Sequence, residues 1–261
     1  MTAVLAEQIG RADRARCRIH RDAEIQAWHE LLASIEGTDW QRRTVCDAWD
    51  VADIPGHLIG QAEDVIRPWS FPRRFRKGKR VYPGVPRFDA HMMVQADEHR
   101  GTPPAELRAQ FDEVWAKATR SISRKPALLR RMTMQVDDVP RMSLGYVWDI
   151  LLARDLWMHR DDVCQALGRS FDAGPYAEEL IAQVIYDLEA AGPFWGDRPA
   201  VVLELTGQGG GTYRLGREEP VGRATVDAVG YMRTLSGRDD APVVTGDAAA
   251  VDAVSSCRMD F

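Results

Sequence analysis

The stretch ARDLWMHRDDVCQALGR, residues 153–169, places an aspartate and a histidine four positions apart among large apolar residues. Apolar residues recur at helical spacing from Ser143 onwards, so the sequence predicts a helix that begins there and ends before Gly168. Side chains four positions apart share a helix face, and Asp155 and His159 therefore lie on the face that packs into the core. A lone carboxylate in that position costs several kcal/mol unless a cation, a hydrogen-bond network or a metal compensates it.

Two kinds of partner for this carboxylate are compatible with the pattern. One is an arginine of the same helix, Arg154 or Arg160, folding back onto it. The other is a metal ion, for which His57 offers a further ligand because it lies on a second, mainly apolar helix predicted to begin at Asp53. Two imidazoles and a carboxylate match a catalytic divalent site with positions left for water or substrate. Alone, His57 would be an ordinary core histidine.

The first two thirds of the chain read as helices joined by polar loops that contain proline. Apolar spacing predicts four main helices, with one of them interrupted or duplicated. The predicted helices cover residues 21–35, 53–66, 89–99, 102–122 and 143–168. The basic segment FPRRFRKGKR, residues 71–80, is predicted to be a solvated loop. The alternative is a lid whose guanidinium groups meet an anionic small molecule.

The last third of the chain changes character. The runs AVVLELTG, GGGTYRLG and APVVTGD are rich in β-branched residues and bounded by glycines, so they predict strands, with GQGGG as a hairpin turn. Helices are predicted over 175–191, over TVDAVGYMRTLSGR and from Ala248. The sequence therefore predicts a two-domain α+β protein, with a four-helix bundle over 1–173 and a small α+β domain over 174–261.

Composition limits the classes of function. The 261 residues are 45% hydrophobic and 28% charged, which suits a globular protein with a sizeable core. Apolar runs fall short of about 18 residues and the N-terminal residues lack the core of a signal peptide, so we expect no membrane association and a cytoplasmic location. Four scattered cysteines lack the spacing of a disulfide framework or thiolate zinc site. A net charge of −5 gives nucleic acid no general reason to bind.

Three motifs carry a resemblance to a known family. CDAWDVADIPGHLIG, residues 46–60, resembles the signature C-x-x-W-(S/T/D)-V-x-D-(L/I)-x-x-H-L of the DinB-like, mycothiol-dependent maleylpyruvate isomerase family. Residues 153–169 resemble the same family's R-(E/D)-x-x-x-H-x-x-D-x-x-x-A-x-G. VDAVGYMRTLSGRDDAPVVTGDAAAV, residues 226–251, is similar to its sterol-carrier-like second domain. The resemblance spans nearly the whole chain and implies a DinB-like four-helix bundle followed by a sterol-carrier-like α+β domain.

This resemblance implies a divalent metal, typically zinc, held by His57, Asp155 and His159. The acidic position is most familiar as glutamate, and Asp155 is one methylene shorter. Asp162 matches the last acidic position of the motif and would orient the His159 imidazole from outside the ligand set. The alternative for Asp162 is a solvated helix residue.

Four residues outside the ligand set also have expected roles. Arg238 occupies the family's motif arginine and would reach a substrate carboxylate across the domain interface, whereas its alternative is an ion pair with Asp239 or Asp240. Trp49 and Trp157 flank the expected ligands and would line a pocket for the cofactor, or simply pack in the core. Cys46 is expected to fix its loop without taking part in catalysis.

The expected function is that of a metal-dependent enzyme of the mycothiol-dependent maleylpyruvate isomerase type. A metal-activated thiolate of the cosubstrate mycothiol would attack a small electrophilic substrate, with an anionic one among the candidates. Addition followed by elimination would make the enzyme an isomerase, and addition or displacement alone would make it a thiol transferase. The alternative from another class is a non-catalytic small-molecule or lipid-binding protein that uses the bundle as a scaffold.

Overall fold

The structure is a computed structural model that describes residues 3–135, 141–190, 194–238 and 242–259. Its helices are α1 (Ala6–Ile9), α2 (Arg14–Ala33), α3 (Asp53–Ile66), α4 (Ser70–Val81), α5 (Arg87–Asp97), α6 (Pro104–Arg124), α7 (Ala127–Arg131), α8 (Leu144–Tyr146), α9 (Leu152–Leu167), α10 (Ala177–Ala190), α11 (Ala228–Leu235) and α12 (Ala248–Ser255). Its strands are β1 (Val4–Leu5), β2 (Thr133–Met134), β3 (Met142–Ser143), β4 (Val201–Thr206), β5 (Gly211–Leu215), β6 (Arg223–Asp227) and β7 (Thr245–Gly246). A 3₁₀ turn covers Gly37–Gln41, and a π-helical turn covers Val147–Leu151.

The chain divides into two compact units. Residues 21–171 form one of them, which we call the helical unit. Residues 172–261 form the other together with residues 1–20, and we call it the mixed unit. The expected first domain, residues 1–173, differs from this division mainly at its start, because β1 joins the sheet of the mixed unit by pairing in parallel with β5. A strand of two residues is too short to leave a period-two pattern in the sequence.

The helical segment that contains the opening stretch has the predicted ends. Ser143 Oγ accepts a hydrogen bond from the backbone N–H of Tyr146 at 3.2 Å, which caps the segment at its start. Gly168 adopts a left-handed φ of 66° and ends α9. Between α8 and α9 the chain forms the π-helical turn, which apolar spacing alone does not predict.

Helix α3 begins at Asp53 with Ala52 at its N-cap position, and Asp50 binds the backbone at its start. Asp50 Oδ1 accepts hydrogen bonds from the backbone N–H groups of Ala52 at 2.9 Å and of Asp53 at 3.0 Å. The Asp53 carboxylate instead accepts from the backbone N–H of Asp50 at 3.1 Å and from Arg100 Nε at 3.0 Å. Pro55 lies within the first turn, where its missing N–H costs nothing.

Aromatic and branched side chains fill the core of the helical unit. Trp28 lies fully buried on α2, and its Nε1 donates a hydrogen bond to the backbone oxygen of Leu156 on α9 at 2.9 Å. Burying a side chain of this size stabilises the fold by about 1.5–3 kcal/mol or more. The other large core residues include Leu32, Ile35, Ile54, Leu58, Phe111, Trp115, Leu156 and Val163. Among the described residues, no helix is both long and apolar enough to cross a lipid bilayer.

The basic segment over residues 71–80 is helical, and the predicted loop is wrong. It forms most of α4, in which Arg74 and Gly78, four positions apart, are buried. A Cβ atom on Gly78 would lie 2.8 Å from the backbone oxygen of Ala90, so this glycine lets α4 and α5 pack closely. The helical pattern of apolar residues is not visible in this segment, because the residue that faces the core is itself an arginine. Binding of an anion by this segment stays a prediction.

Arg74 is the centre of a buried ionic cluster. It is 1% exposed, and its guanidinium group donates to Asp64 at 2.7 Å, to Glu98 at 2.9 Å and to Glu63. A further hydrogen bond of 2.7 Å reaches the backbone oxygen of Gly60 on α3. Burial alone would raise the pKa of Glu63, but the close approach of His99 and the hydrogen bond and charge of Arg74 outweigh burial and lower that pKa to about 2. The cluster ties α3, α4 and the end of α5 together.

In the mixed unit, described strands form a five-stranded sheet in the order β1-β5-β4-β6-β7. Strands β4 and β5 pair antiparallel through the glycine-rich turn, as predicted, with Gly207 and Gly209 at φ values of 76° and 75°. Residues 225–227, predicted as helical, belong instead to β6, which pairs in parallel with β4. Asp227 ends that strand and accepts the backbone N–H of Gly230 at 2.8 Å, so the helix starts later than predicted.

We expect Arg74→Met to destabilise the protein by about 3–5 kcal/mol, because it leaves several carboxylates without their buried cation. Urea unfolding followed by circular dichroism measures the change. The matched control is Arg76→Met on the same helix, an exposed position whose replacement should change the free energy of unfolding by less than about 0.5 kcal/mol. Equal effects of the two substitutions would contradict the assigned role of Arg74.

Candidate metal centre

Helices α3 and α9 bring the three expected ligands together. His57 Nε2 lies 3.2 Å from Asp155 Oδ2, and His159 Nε2 lies 3.5 Å from Asp155 Oδ1. The ligand atoms of the three residues all lie within 4.8 Å of one another. The two imidazole rings meet edge to face, with their centroids 5.2 Å apart. Side chains that are 98 positions apart in sequence thus converge on one point of the helical unit.

Burial and mutual charge set the protonation of these groups. Burial alone would raise the pKa of Asp155, but the positive charge of His159 and the hydrogen bond with His57 outweigh it and lower that pKa. Burial opposes a charge on His159, yet Asp155 and the hydrogen bond with Asp162 raise its pKa to about 10. For His57, burial dominates the opposing effect of Asp155, and its pKa is lowered. These shifts favour an ionised carboxylate at Asp155, a charged imidazole at His159 and a neutral imidazole at His57.

The loop before α3 places an indole ring on the imidazoles. Trp49 stacks on His57 with ring centroids 4.9 Å apart and lies 5.6 Å from the ring of His159. Thr44 holds this loop closed, because its hydroxyl group donates to the backbone oxygen of Trp49 at 3.0 Å. The backbone N–H of Trp49 donates to the oxygen of Cys46 at 2.8 Å. Trp49 is thus one of the predicted residues that the structure brings to the site.

Asp162 lies directly behind His159. Its carboxylate is fully buried and accepts a hydrogen bond from His159 Nδ1 at 2.9 Å. Cys46 Sγ donates to the same carboxylate oxygen at 3.7 Å. The carboxylate fixes the ring so that Nε2 points towards Asp155. Reasoning from the sequence placed Cys46 in the loop and missed its contact with Asp162, which only the folded chain creates.

Sequence reasoning also missed Gln61. This residue lies one helical turn after His57, on the same face of α3, and its Nε2 donates to Asp155 Oδ2 at 2.7 Å. The spacing of four positions was the signal that could have identified it. Of the two arginines considered as partners of Asp155, Arg160 pairs instead with Glu24 at 2.9 Å.

The donor set fits a divalent transition metal such as zinc. Imidazole nitrogen and carboxylate oxygen are the ligands of catalytic zinc, at bond lengths of about 2.0–2.2 Å. Such bonds place neighbouring ligand atoms of a tetrahedral ion about 3.3–3.6 Å apart, and His159 Nε2 lies 3.5 Å from Asp155 Oδ1. In addition, the Nδ1 atom of His57 is buried without a hydrogen-bond partner among the described residues. Its ring is oriented by stacking on Trp49, by the edge-to-face contact with His159 and by its Nε2 contact with Asp155.

The structure shows other contacts for two further predicted residues. Trp157 is about 200° around the axis of α9 from both Asp155 and His159. Its ring packs edge to face on Phe171, with centroids 5.2 Å apart, so the structure does not bring it to the ligands. Arg238 belongs to the mixed unit, where its Nη1 donates to the hydroxyl group of Ser236 at 2.8 Å. Its contact with a substrate stays a prediction.

Asp239 and Asp240 were the expected ion-pair partners of Arg238. Both lie outside the residues that the structure describes.

Comparison with known proteins identifies the family. Residues 21–164 match the sequence model of the mycothiol maleylpyruvate isomerase N-terminal domain, and this match covers more than half of the chain. The chain belongs to this family. The match includes all three expected ligands and Asp162, so the resemblance inferred from the sequence motifs is confirmed at the level of the family.

Solved structures confirm the fold. This chain is similar to the crystal structure of a mycothiol-dependent maleylpyruvate isomerase, with a TM-score of 0.60 and 12% sequence identity. A variant of such an isomerase with a histidine replaced by alanine gives a TM-score of 0.62 at 11% identity. Each similarity covers 95% of this chain and 97% of the other. A search of curated proteins found no match. The predicted two-part α+β architecture is thus confirmed.

We expect Asp162→Ala to destabilise the protein by at least about 1–3 kcal/mol, because it leaves a buried N–H of His159 without its acceptor. Cys46→Ala removes only the weak S–H donor and should cost less than about 1 kcal/mol. Chemical unfolding at neutral pH measures both. Equal losses would show that the carboxylate does not hold the imidazole.

Proposed function

We propose that this protein is a metal-dependent enzyme that uses the thiol of mycothiol to attack a small electrophilic molecule. The observation that carries the proposal is the convergence of His57, Asp155 and His159 within 4.8 Å of one another inside a helical unit. Membership of the mycothiol maleylpyruvate isomerase family supports the choice of thiol. The proposed ion is zinc, because the donor set combines imidazole nitrogen with a single carboxylate.

The side chains of His57, Asp155 and His159 would hold the ion. Neighbouring residues would keep these side chains in position. A bound zinc ion supplies a Lewis acid that favours the thiolate form of a thiol at neutral pH. Asp162 keeps the ring of His159 in the orientation that presents Nε2. Trp49 covers His57 by stacking and, at 7% exposure, shields this side of the group from water.

The charge balance of the site suits a cation and an anionic nucleophile. Asp155 carries the negative charge among the three ligands, and the imidazoles are neutral donors once a cation displaces their protons. A divalent ion held by one carboxylate retains a positive charge, which attracts a thiolate or an anionic electrophile. The helical unit therefore combines a binding site for a cation with an environment of low polarity around it.

The reaction class follows from the thiol. Addition of the thiolate to an activated double bond, rotation and elimination would isomerise an unsaturated substrate. Addition without elimination would transfer the thiol. We propose both reactions, isomerisation and thiol transfer, as candidate activities. Arg238 is the residue proposed to bind a substrate carboxylate. The cytoplasmic location expected from the sequence stays a prediction.

Purified protein should bind about one zinc ion per chain, as elemental analysis and chelator competition measure. His57→Ala and His159→Ala should each weaken binding by more than the roughly 10- to 100-fold that loss of an outer-shell partner costs. The matched control is His29→Ala, which removes a histidine that pairs with Asp112 on α6. Metal content unchanged in both site variants would remove the basis of the proposal, and a co-purified lipid without metal would favour a binding protein.

Zinc-loaded protein should bind mycothiol at least about tenfold, or 1.4 kcal/mol, more tightly than glutathione. The physical reason is that both thiols present the same sulfur to the ion, so a preference must come from contacts between the protein and the remainder of mycothiol. Isothermal titration calorimetry with each thiol measures the difference. Equal affinity would contradict the cosubstrate assignment while leaving the metal site intact.

A further inference from the structure

Gln61 is a polar residue beside the ligands that the proposed function does not yet use. It follows His57 by one turn of α3, and its amide Nε2 lies 2.7 Å from Asp155 Oδ2. The same oxygen lies 3.2 Å from His57 Nε2, while the other oxygen, Oδ1, faces His159 Nε2 at 3.5 Å. The carboxylate is therefore held between two histidines and one amide.

The amide contact differs in kind from the two histidine contacts. Both imidazoles meet the carboxylate through Nε2, the atom that each would turn towards an ion. Among the described residues, Gln61 is the remaining partner of Asp155, and it contacts Oδ2 only. An amide N–H that occupies one oxygen leaves the other as the better placed donor for a cation.

The opposite end of the amide argues against a purely structural role. Gln61 Oε1 is buried and has no hydrogen-bond partner within the described part of the chain. An unsatisfied buried oxygen costs about 1–3 kcal/mol. A leucine of similar size would avoid that cost and would still pack between α3 and α9. The glutamine therefore provides a hydrogen bond to the Asp155 carboxylate at a cost to the stability of the core.

We propose that Gln61 is a positioning residue that holds Asp155 Oδ2 and so presents Oδ1 as the single carboxylate oxygen to the metal. This inference rests on the proposed function, because it assigns a role to Gln61 only in relation to the ion. It predicts that the amide tunes the affinity for metal without being a ligand. It also predicts energetic coupling between positions 61 and 155, because adding a methylene to the acid displaces its carboxylate from the amide.

The test measures zinc affinity by chelator competition and the visible absorption spectrum of the Co²⁺-substituted protein. Gln61→Leu should weaken zinc binding by about 10- to 100-fold and change the cobalt spectrum, which reports the number and geometry of the ligands. In the Asp155→Glu background, the same substitution should weaken binding by less than about threefold. Gln61→Asn, which withdraws the amide by one methylene, should behave like Gln61→Leu and serves if the leucine variant does not fold. Urea unfolding checks the fold of each variant.

The matched control is Gln26→Leu on α2. Gln26 also donates from Nε2 to a carboxylate, that of Glu30 at 3.1 Å, but on an exposed surface. Its replacement should leave zinc affinity and the cobalt spectrum unchanged.

The outcomes separate the two claims. Wild-type protein that binds zinc, with Gln61→Leu binding equally well or giving the same cobalt spectrum, would overturn the role of Gln61 and leave the proposed function standing. Equal weakening by Gln61→Leu in the wild-type and Asp155→Glu backgrounds would also overturn it, because the two positions would then act independently. Wild-type protein that binds no zinc would overturn the proposed function and this inference with it.

Discussion

The neutralisation of one partly buried carboxylate, that of Asp155, is the constraint on which the site depends. A carboxylate on a helix face that packs into a core is tolerated only when its neighbours compensate its charge. Here the compensation comes from His57 and Gln61 on α3 and from His159 one turn further along α9. Asp162 fixes the His159 imidazole by a hydrogen bond, and Trp49 fixes the His57 imidazole by stacking. Each layer of contacts follows from the presence of an acid in an apolar environment.

Helix α3 connects this site to the second buried ionic group of the helical unit. His57 and Gln61 of α3 contact Asp155 on α9, and Glu63 and Asp64 of the same helix bind Arg74 on α4. A Cβ atom on Gly60 would lie 2.6 Å from that of Gln95, so the absence of a side chain there lets α5 approach α3 closely. These contacts fix the helix that carries His57 and Gln61. The position of His57 depends on packing and ion pairs that lie outside the ligand set.

Local chemistry explains which features could be predicted from the sequence. Ser143 begins the helical segment through a short-range hydrogen bond, and Gly168 ends it through its backbone conformation. The spacing of four positions places Asp155 and His159 on one helix face. The meeting of these residues with His57 required a second helix to be placed in space, which helical spacing alone does not do. Contacts made through loops, such as that of Cys46 with Asp162, have no sequence signal because more than a hundred residues separate the partners.

The predictions that were wrong share a physical cause. The basic segment was taken as a loop because its charges resemble a hydrated surface, yet Arg74 is stabilised inside by carboxylates that come from α3 and α5. Residues 225–227 were included in a helix, but they extend alongside β4 because a sheet edge was available there. In both cases tertiary partners decided a local conformation for which the sequence was ambiguous.

The wide separation of the ligands along the chain has a consequence for biosynthesis. His57 leaves the ribosome long before Asp155, which follows 98 positions later, so a nascent polypeptide exposes a solitary imidazole and no chelating set. Assembly of the proposed ligand set must await the emergence of α9, and a chain that ends before this helix lacks two of the three residues.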